Sequence, residues 1–351
     1  RIPMDENMHA LMAQTQPRGQ LHALKMQWFD AHTPGFHFKA SGQVKGLEVN
    51  ASPAHKTPRP EDDWWPGVTG ATVEFELDES SGKAQVSVQD GSVTLVDWLE
   101  EPVVPLKTFS TTLSWTKVNQ LLKLQLQNAR LANADTQGSF DLTWSERDSK
   151  LPQGHLELDA QIQRMQASRL YRYLPLEMQA EARQYVKEAT GAGWFEKVSV
   201  QIKGHMDHFP FNKTNDGVFM VRAPFQQLGF QYSPAPAPAP SVLGKRAAPR
   251  WPALQQLTGE LSINRNQMQL KSTSARIGQP VALQLTRLEV QIPDLNDIVV
   301  DVSAQLKGSL NDALVIINNS PLAESVGSLF NPAGVSGLAE HQFHLIVPVS
   351  N

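Results

Sequence analysis

Apolar and polar residues alternate along most of this chain. Residues 122–127, for example, read Leu-Lys-Leu-Gln-Leu-Gln. Successive side chains of a β-strand point to opposite faces, so this pattern predicts strands that are apolar on one face and polar on the other. Similar runs occur at residues 73–77, 86–88, 93–95, 109–115, 140–144, 156–162, 198–202, 261–263, 268–270, 281–285, 288–292, 298–306 and 343–347.

Short segments rich in Gly, Pro, Asn, Asp and Ser separate these runs and predict turns. Because the intervals between the turns are short, the sequence predicts a meander of antiparallel hairpins. The predicted turns are residues 80–83, Asp90-Gly91, Gly138, Gly259, residues 264–266, residues 278–280 and Pro293-Asp294.

Helical patterns are confined to short segments. Residues 168–173 are expected to form one or two helical turns. Pro175 is a suitable first residue for a helix over residues 176–189, and Gly191 is a suitable stop. Residues 321–329 and 4–12 are two further candidates. None of these segments is long enough to build a helical bundle, so we expect caps or plugs on a sheet.

This arrangement predicts three segments. Residues 1–166 form a first β-sheet unit, residues 167–195 a short helical insertion, and residues 196–351 a second β-sheet unit with a Pro/Ala-rich loop at 233–249. Trp65-Pro66 and Trp251-Pro252 each follow a Pro-rich loop and open a series of strands, which indicates two copies of one unit. The Pro-Ala run predicts an extended spacer, with recognition by a partner protein as the alternative.

The composition narrows the possible functions. The chain has no cysteine, which excludes disulfides, thiolate zinc sites and cysteine nucleophiles. Its net charge is −4 and its 31 basic residues are scattered, which argues against a nucleic-acid surface. Charged residues make up 19% of the chain, below the roughly 25% of ordinary domains, so sheets with neutral outer faces are expected. Because the chain opens on Arg1 and closes just after an alternating run, we expect an internal piece of a longer protein.

No catalytic apparatus is predicted. The sequence has no nucleophile elbow, no phosphate-binding glycine loop and no zinc-protease helix. His205 and His208 lie three residues apart, as do His341 and His344, and on strands this spacing points side chains to opposite faces. Solvated turn histidines are therefore expected at His205 and His208, and no metal site. We predict no enzyme activity and no cofactor, although a glycosidase-like pair of carboxylates stays open because such a pair forms in space.

Two parts of the chain resemble the YhdP-type proteins of the AsmA-like family. In residues 171–211 the shared pattern is Tyr-Leu-Pro before a helix, then a strand with Lys203-Gly204, then Phe-Pro-Phe at 209–211. Ile202 stands where the family pattern has Val. The later shared features are Trp251-Pro252 and residues 257–261, 292–295, 306–308 and 320–322. The resemblance covers most of the chain, thinly between residues 52 and 150.

The resemblance implies a mostly β fold in which a long curved antiparallel sheet forms an apolar trough, with a few short helices. It implies a segment of a periplasm-spanning protein, tethered to the inner membrane through a helix absent from this chain. The implied partner is phospholipid, whose acyl chains are shielded during transport between inner and outer membrane. Membrane contact would come through other parts of the protein, with no nucleic acid involved. The alternative is a structural or adhesive β-solenoid or sandwich of the cell envelope without lipid.

The alternating apolar residues are the predicted lining of this trough. A buried methylene is worth about 0.8 kcal/mol, so an acyl chain of roughly sixteen carbons costs on the order of 10 kcal/mol to expose to water. A continuous apolar surface removes that cost without specific polar contacts. The predicted lining residues are Val73, Phe75, Leu77, Leu122, Leu124, Leu126, Phe140, Leu142, Trp144, Leu156, Leu158, Ile162, Val198, Val200, Ile202, Leu283, Leu285, Val300, Val302 and Leu306.

Overall fold

The computed structural model describes residues 12–29, 37–52, 65–119, 121–146, 153–213, 215–233, 252–277, 282–318 and 337–348. Several predicted features lie outside the described residues. They are the helix at 321–329, most of the helix at 4–12, the turn at 278–280, the Pro/Ala-rich run after Ser233, and Trp251. Residues 12–15 are helical.

Most of the described residues belong to fifteen β-strands. Their sequences carry the alternation described above. The strands are β1 Arg18–Phe29, β2 His37–Val49, β3 Gly67–Asp78, β4 Ser81–Thr94, β5 Val103–Val118, β6 Leu121–Ala132, β7 Thr136–Ser145, β8 His155–Gln166, β9 Trp194–His205, β10 Gly217–Phe230, β11 Leu254–Asn264, β12 Gln267–Ile277, β13 Gln284–Ile292, β14 Val299–Ser309 and β15 Leu338–Pro348.

The strands form one antiparallel sheet in which each strand pairs with its neighbours in sequence. The order runs from β1 to β15 without a crossover, so the predicted meander is confirmed. Short turns close several hairpins. Between β3 and β4, the Asp78 carboxylate accepts hydrogen bonds from the backbone N–H groups of Ser80 and Ser81, at 2.8 and 2.7 Å.

Three of the predicted turns are wrong, because the residues lie inside strands. Asp90-Gly91 belongs to β4, Gly138 to β7 and Gly259 to β11. At Asp90 the backbone has a φ of 52° and the pairing with β3 shifts register, which makes this position a β-bulge. At Gly259 the neighbouring strand approaches so closely that a Cβ would lie 2.0 Å from the Lys271 carbonyl oxygen.

Left-handed backbone positions recur inside the strands. Asn128 is one of them, and its backbone N–H donates a hydrogen bond to Oδ1 of Asp141 in the next strand at 2.7 Å. Bulges of this kind bend a strand and reset which face the following residues occupy. The positions are Ala23, Gly46, Gly70, Asp90, Asn128, Lys197, Gln227 and Gln256.

The α-helix between β8 and β9 is shorter than predicted. A 3-10 helix spans Ala167–Tyr173 and an α-helix spans Ala180–Ala189, so Pro175 does not begin the helix. Pro175 instead forms an isolated bridge with Leu99, and the N–H of Leu176 donates to the Trp98 carbonyl at 2.9 Å. This tertiary pairing outweighs the local preference of proline for a first helical position.

A second α-helix, Leu310–Asn318, was not predicted from the sequence. It follows β14 directly, and the Oγ of Ser309 accepts a hydrogen bond from the N–H of Asp312 at 2.9 Å. This contact caps the first turn of the helix. Ala313 and Leu314 are buried on its inner side.

The chain divides into two compact units. The first comprises Arg1–Gln163, Arg172–Gln179 and Val200–Val218, and the second comprises Arg164–Tyr171, Ala180–Ser199 and Phe219–Asn351. Each has its own core. In the first unit the core includes Ala71, Val88 and Leu106, with Leu47, Val68, Val73, Val93 and Phe109 packed against them. In the second unit the largest fully buried side chains are Phe225, Leu257 and Leu283.

Candidate functional site

The strand register gathers the apolar residues of the first unit on one face of the sheet. Residues paired directly across antiparallel strands share a face. One such row, from β2 to β7, is Ala40, Leu77, Gly82, Trp115, Leu124 and Trp144. The adjacent row is Gly42, Phe75, Ala84, Leu113, Leu126 and Leu142.

The opposite face of the first unit is polar. Hydroxyl and amide groups bond across it, as where Thr112 donates to the Gln85 side chain at 3.1 Å. A strand face of this kind is stable in contact with water, whereas its apolar counterpart is not. A representative polar row is Ser41, Glu76, Lys83, Ser114, Gln125 and Thr143.

The second unit repeats this division between faces. One apolar row crosses five strands, β11 to β15, as Leu261, Leu270, Val290, Val302 and Leu345. The polar face of β10 to β15 carries ion pairs, which include Arg222–Glu260 at 2.8 Å and Lys307–Glu340 at 2.7 Å. In both sets of strands, β2 to β7 and β11 to β15, apolar rows therefore lie on one face and polar rows on the other.

The predicted lining residues fall into two groups by burial. Val198, Leu283, Leu285 and Leu306 are less than a tenth exposed and pack inside the second unit. The others are half-buried, so part of each side chain is exposed. These are Val73, Phe75, Leu77, Leu122, Leu124, Leu126, Phe140, Leu142, Trp144, Leu156, Leu158, Ile162, Val200, Ile202, Val300 and Val302.

Two polar side chains on the apolar faces, Thr111 and Ser272, bond to the protein backbone. Thr111 is buried and its hydroxyl donates to the Gln127 carbonyl at 3.2 Å. Ser272 is buried and its hydroxyl donates to the Thr258 carbonyl at 2.7 Å. Because these groups are satisfied internally, they interrupt the apolar surface little.

Large aromatic rings of the first unit lie against glycines. The six-membered ring of Trp115 covers Gly82, where a Cβ would lie 2.1 Å from Cζ2. The ring of Trp144 covers Gly154, where a Cβ would lie 2.7 Å from Nε1. The same indole N–H donates to the Gln153 carbonyl at 3.0 Å, which fixes the tilt of the ring.

The expectation for His205 and His208 is partly wrong. His205 closes β9 and is half-buried, with its ring centroid 5.0 Å from that of His155 in an edge-to-face contact. His208 is exposed, as expected, and its ring centroid lies 6.4 Å from that of His205. Within the described residues, no three His, Cys, Asp or Glu side chains are arranged to hold a metal ion.

His341 and His344 do lie on opposite faces. His341 pairs with Leu306 on the apolar face, whereas His344 pairs with Ser303 on the polar face. The Nε2 atom of His344 lies 2.9 Å from Oδ1 of Asp301.

An ionic cluster holds part of the helical insertion in the first unit. Nε and Nη1 of Arg172 donate to Glu101 and Asp135, and the hydroxyl of Tyr173 lies 3.1 Å from Nδ2 of Asn133. Burial disfavours the charge of Arg172, but the hydrogen bonds and charges of the two carboxylates outweigh it and raise the pKa of Arg172. The cluster fastens the insertion to the loops that follow β4 and β6.

Similarity to known proteins extends along the whole chain. The profile of the YhdP protein family matches residues 1–351. The chain belongs to the YhdP family. A similar YhdP-family protein is the intermembrane phospholipid transporter YhdP of Escherichia coli (strain K12), 23% identical over 283 residues. The match covers 77% of this chain but only 20% of the length of that relative. No solved structure matches.

The sequence features that marked the YhdP resemblance have structural roles. Phe211 is fully buried, and its ring lies against Gly204 and Gly217, where an added Cβ would come within 2.6 and 2.8 Å of it. Phe209 of the same motif is 42% exposed. The Lys-Gly and Phe-Pro-Phe elements therefore form one packed connection between β9 and β10.

Several residues of the apolar face were missing from the predicted set. Leu113 and Trp115 lie in an alternating run that had predicted a strand, as do Val290 and Leu345, so the same period would have found them. Gly82 gave no such signal, because a glycine carries no hydrophobic side chain and resembles a turn residue. Among the described residues, no helix is long and apolar enough to cross a membrane.

Proposed function

We propose that the apolar faces of this chain bind phospholipid acyl chains and shield them from water during transport between inner and outer membrane. The observation that carries the proposal is the set of cross-strand rows, in which half-buried apolar side chains follow one another from strand to strand. The family relative in Escherichia coli bears the name of an intermembrane phospholipid transporter, which agrees with this role.

The mechanism is passive shielding. An acyl chain that lies on an apolar strand face avoids the free-energy cost of exposure to water, which is roughly 0.8 kcal/mol for each methylene. Movement from one row to the next exchanges similar contacts, so it needs no hydrogen bond to be broken and no chemical step. The polar face keeps the protein hydrated, and direction comes from other parts of the transport system.

The half-buried lining residues make the contact, and the buried ones support it. Leu124 and Val302 belong to the first group, whereas Leu285 and Leu306 are buried on the same face of the sheet as Val302. The chain works in the periplasm as a segment of a longer protein whose other parts provide the tether and the membrane contacts.

Native mass spectrometry of the purified protein tests the proposal. Bound phospholipid is expected in the wild-type chain, and Leu124→Val should retain it. Leu124→Asp and Val300→Asp should lose it or unfold the sheet, because each puts a charge on the apolar face. The matched control is Gln125→Asp, which adds the same charge to the polar face of the same strand and should keep the lipid.

Two results would contradict this function. A wild-type protein that is free of lipid would favour a structural or adhesive role in the envelope. Folded Leu124→Asp and Val300→Asp variants with normal lipid content would show that these positions are not part of the lipid surface. Circular dichroism distinguishes a folded variant from an unfolded one.

A further inference from the structure

Two indoles of the first unit, those of Trp115 and Trp144, turn away from the strand that lies between them. Trp115 of β5 and Trp144 of β7 both pair with Leu124 of β6. The ring of Trp115 lies over Gly82 on the β4 side, and the ring of Trp144 lies over Gly154 on the β8 side. Each indole is thus folded outward, and the side chain of Leu124 is left between them.

This arrangement leaves an open strip along β6. Neighbouring strands lie about 4.8 Å apart, so β5 and β7 are separated by about 10 Å. Leu122, Leu124 and Leu126 project from β6 into that interval on the same face, and all three are half-buried. Indoles turned inward would cover Leu124, whereas indoles turned outward leave it accessible.

We propose that Trp115 and Trp144 are the side walls of a slot that seats one acyl chain along β6, and that Gly82 determines its width. This inference rests on the proposed function and adds the residues that position the lipid. Gly82 is essential to the slot because any side chain there would meet the six-membered ring of Trp115. The indole would then have to swing toward β6 and cover Leu124.

Photo-crosslinking tests the slot locally. A benzophenone amino acid replaces Leu126 in the intact protein, which is isolated from a bacterial host, irradiated and analysed for phospholipid adducts by mass spectrometry. Gly82→Ala should reduce the adduct by roughly tenfold, the size of effect that overpacking by one methyl group produces. Gly229→Ala is the matched control, because the nearest atom to its added Cβ is 3.5 Å away and no indole is involved.

Two further variants keep the test independent of folding at Gly82. The double change Gly82→Ala with Trp115→Leu removes the displaced ring and should restore the adduct. Leu113→Trp places an indole opposite Ala84. Ala84 has a Cβ where Gly82 has none, so the new ring cannot lie over β4. It must stand over β6 instead and should reduce the adduct. Both variants leave the hydrogen bonds of the sheet intact.

The outcomes separate the slot from the general function. A strong wild-type adduct that neither Gly82→Ala nor Leu113→Trp reduces overturns the slot and leaves the proposed function standing. A wild-type protein with no adduct and no co-purifying phospholipid overturns the proposed function and the slot with it. Loss in both variants with recovery in the double variant supports the slot.

Discussion

Nη1 of Arg172 donates to Oδ2 of Asp135 over 2.5 Å, although the two residues are far apart in sequence. The side chain of Asp135 is only 9% exposed. Arg172 also donates through Nε to Glu101, whose side chain is 42% exposed. One guanidinium therefore joins the end of a 3-10 helix to two loops of the first unit.

Replacing Arg172 by Met should lower the free energy of unfolding by about 2–3 kcal/mol, because the carboxylate of Asp135 loses its cation while remaining buried. Urea denaturation followed by circular dichroism measures the change. Glu101→Gln is the control and should cost less than about 1 kcal/mol, since that side chain is 42% exposed and its charge is partly screened by water. Equal losses in both variants would show that burial of Asp135 does not govern the cluster.

Phe211→Ala should lower the free energy of unfolding by about 3–5 kcal/mol, because the ring is fully buried between two glycines that cannot fill the cavity. Phe209→Ala removes an identical ring that is 42% exposed and should cost less than about 1 kcal/mol. Both values come from the same denaturation experiment. A small loss at Phe211 would mean that the connection between β9 and β10 rearranges around the cavity.

Asp78 should make the β3–β4 hairpin sensitive to acid. The pKa of Asp78 is lowered below its ordinary value of 3.8, mainly by the backbone hydrogen bond from Ser80. Burial raises this pKa by a smaller amount, and hydrogen bonds from the Ser80 and Ser81 hydroxyls lower it further. A carboxyl whose pKa is lower in the folded state stabilises the protein above the ordinary pKa and loses that effect as pH falls through the lowered value.

The Asp78→Asn variant should accordingly be less stable than the wild type by about 1 kcal/mol at neutral pH. The two proteins should become equally stable once the pH has fallen below the lowered pKa of Asp78, where the wild-type carboxyl is protonated as well. Urea unfolding at a series of pH values measures this. If the difference in stability between the two proteins stayed constant down to pH 2, the cause would be the altered side-chain geometry and not the charge of Asp78.

Gly259→Ala should lower the free energy of unfolding by about 3 kcal/mol, because the new methyl group would lie 2.0 Å from the Lys271 carbonyl and backbone cannot move aside as a side chain can. Gly229→Ala makes the same chemical change with ordinary contacts and should stay within about 0.5–1 kcal/mol of the wild type. Calorimetric unfolding of both variants checks the pair.

Much of the fold could be predicted because strand side chains alternate with a period of two. The alternation of Leu122, Leu124 and Leu126 with polar residues predicts both the strand and the face that the three leucines share. The prediction fails where a bulge interrupts the period. Leu126 and Ala129 share the apolar face despite their odd spacing, because Asn128 between them has a left-handed backbone.

Other errors came from residues whose role depends on a distant partner. Glycines such as Gly138 and Gly259 resemble turn residues, and only the neighbouring strand reveals that they allow close approach. Pro175 resembles a first helical residue until its pairing with Leu99 is known. The Leu310–Asn318 helix, in contrast, had a local signal, since Ser309 and Asp312 have the spacing of a capping box.

Within the candidate site, the sequence predicted the apolar positions but could not rank them by accessibility. Leu124 and Leu285 have the same chemistry and the same strand pattern, yet one is half-buried and the other lies in a core. Burial depends on which elements pack over each residue, and this information is not contained in the local period. The outward tilt of Trp115 likewise depends on a glycine in another strand.

Because every strand pairs only with its neighbours in sequence, each newly made hairpin can dock on the edge left by the one before it. The sheet can thus be assembled from one end to the other, with no strand waiting for a distant partner. Duplicating one hairpin would lengthen it by about 10 Å and leave every other pair of strands in register. Duplication of a hairpin in the gene can therefore change the length of such a sheet while one face stays apolar and the other polar.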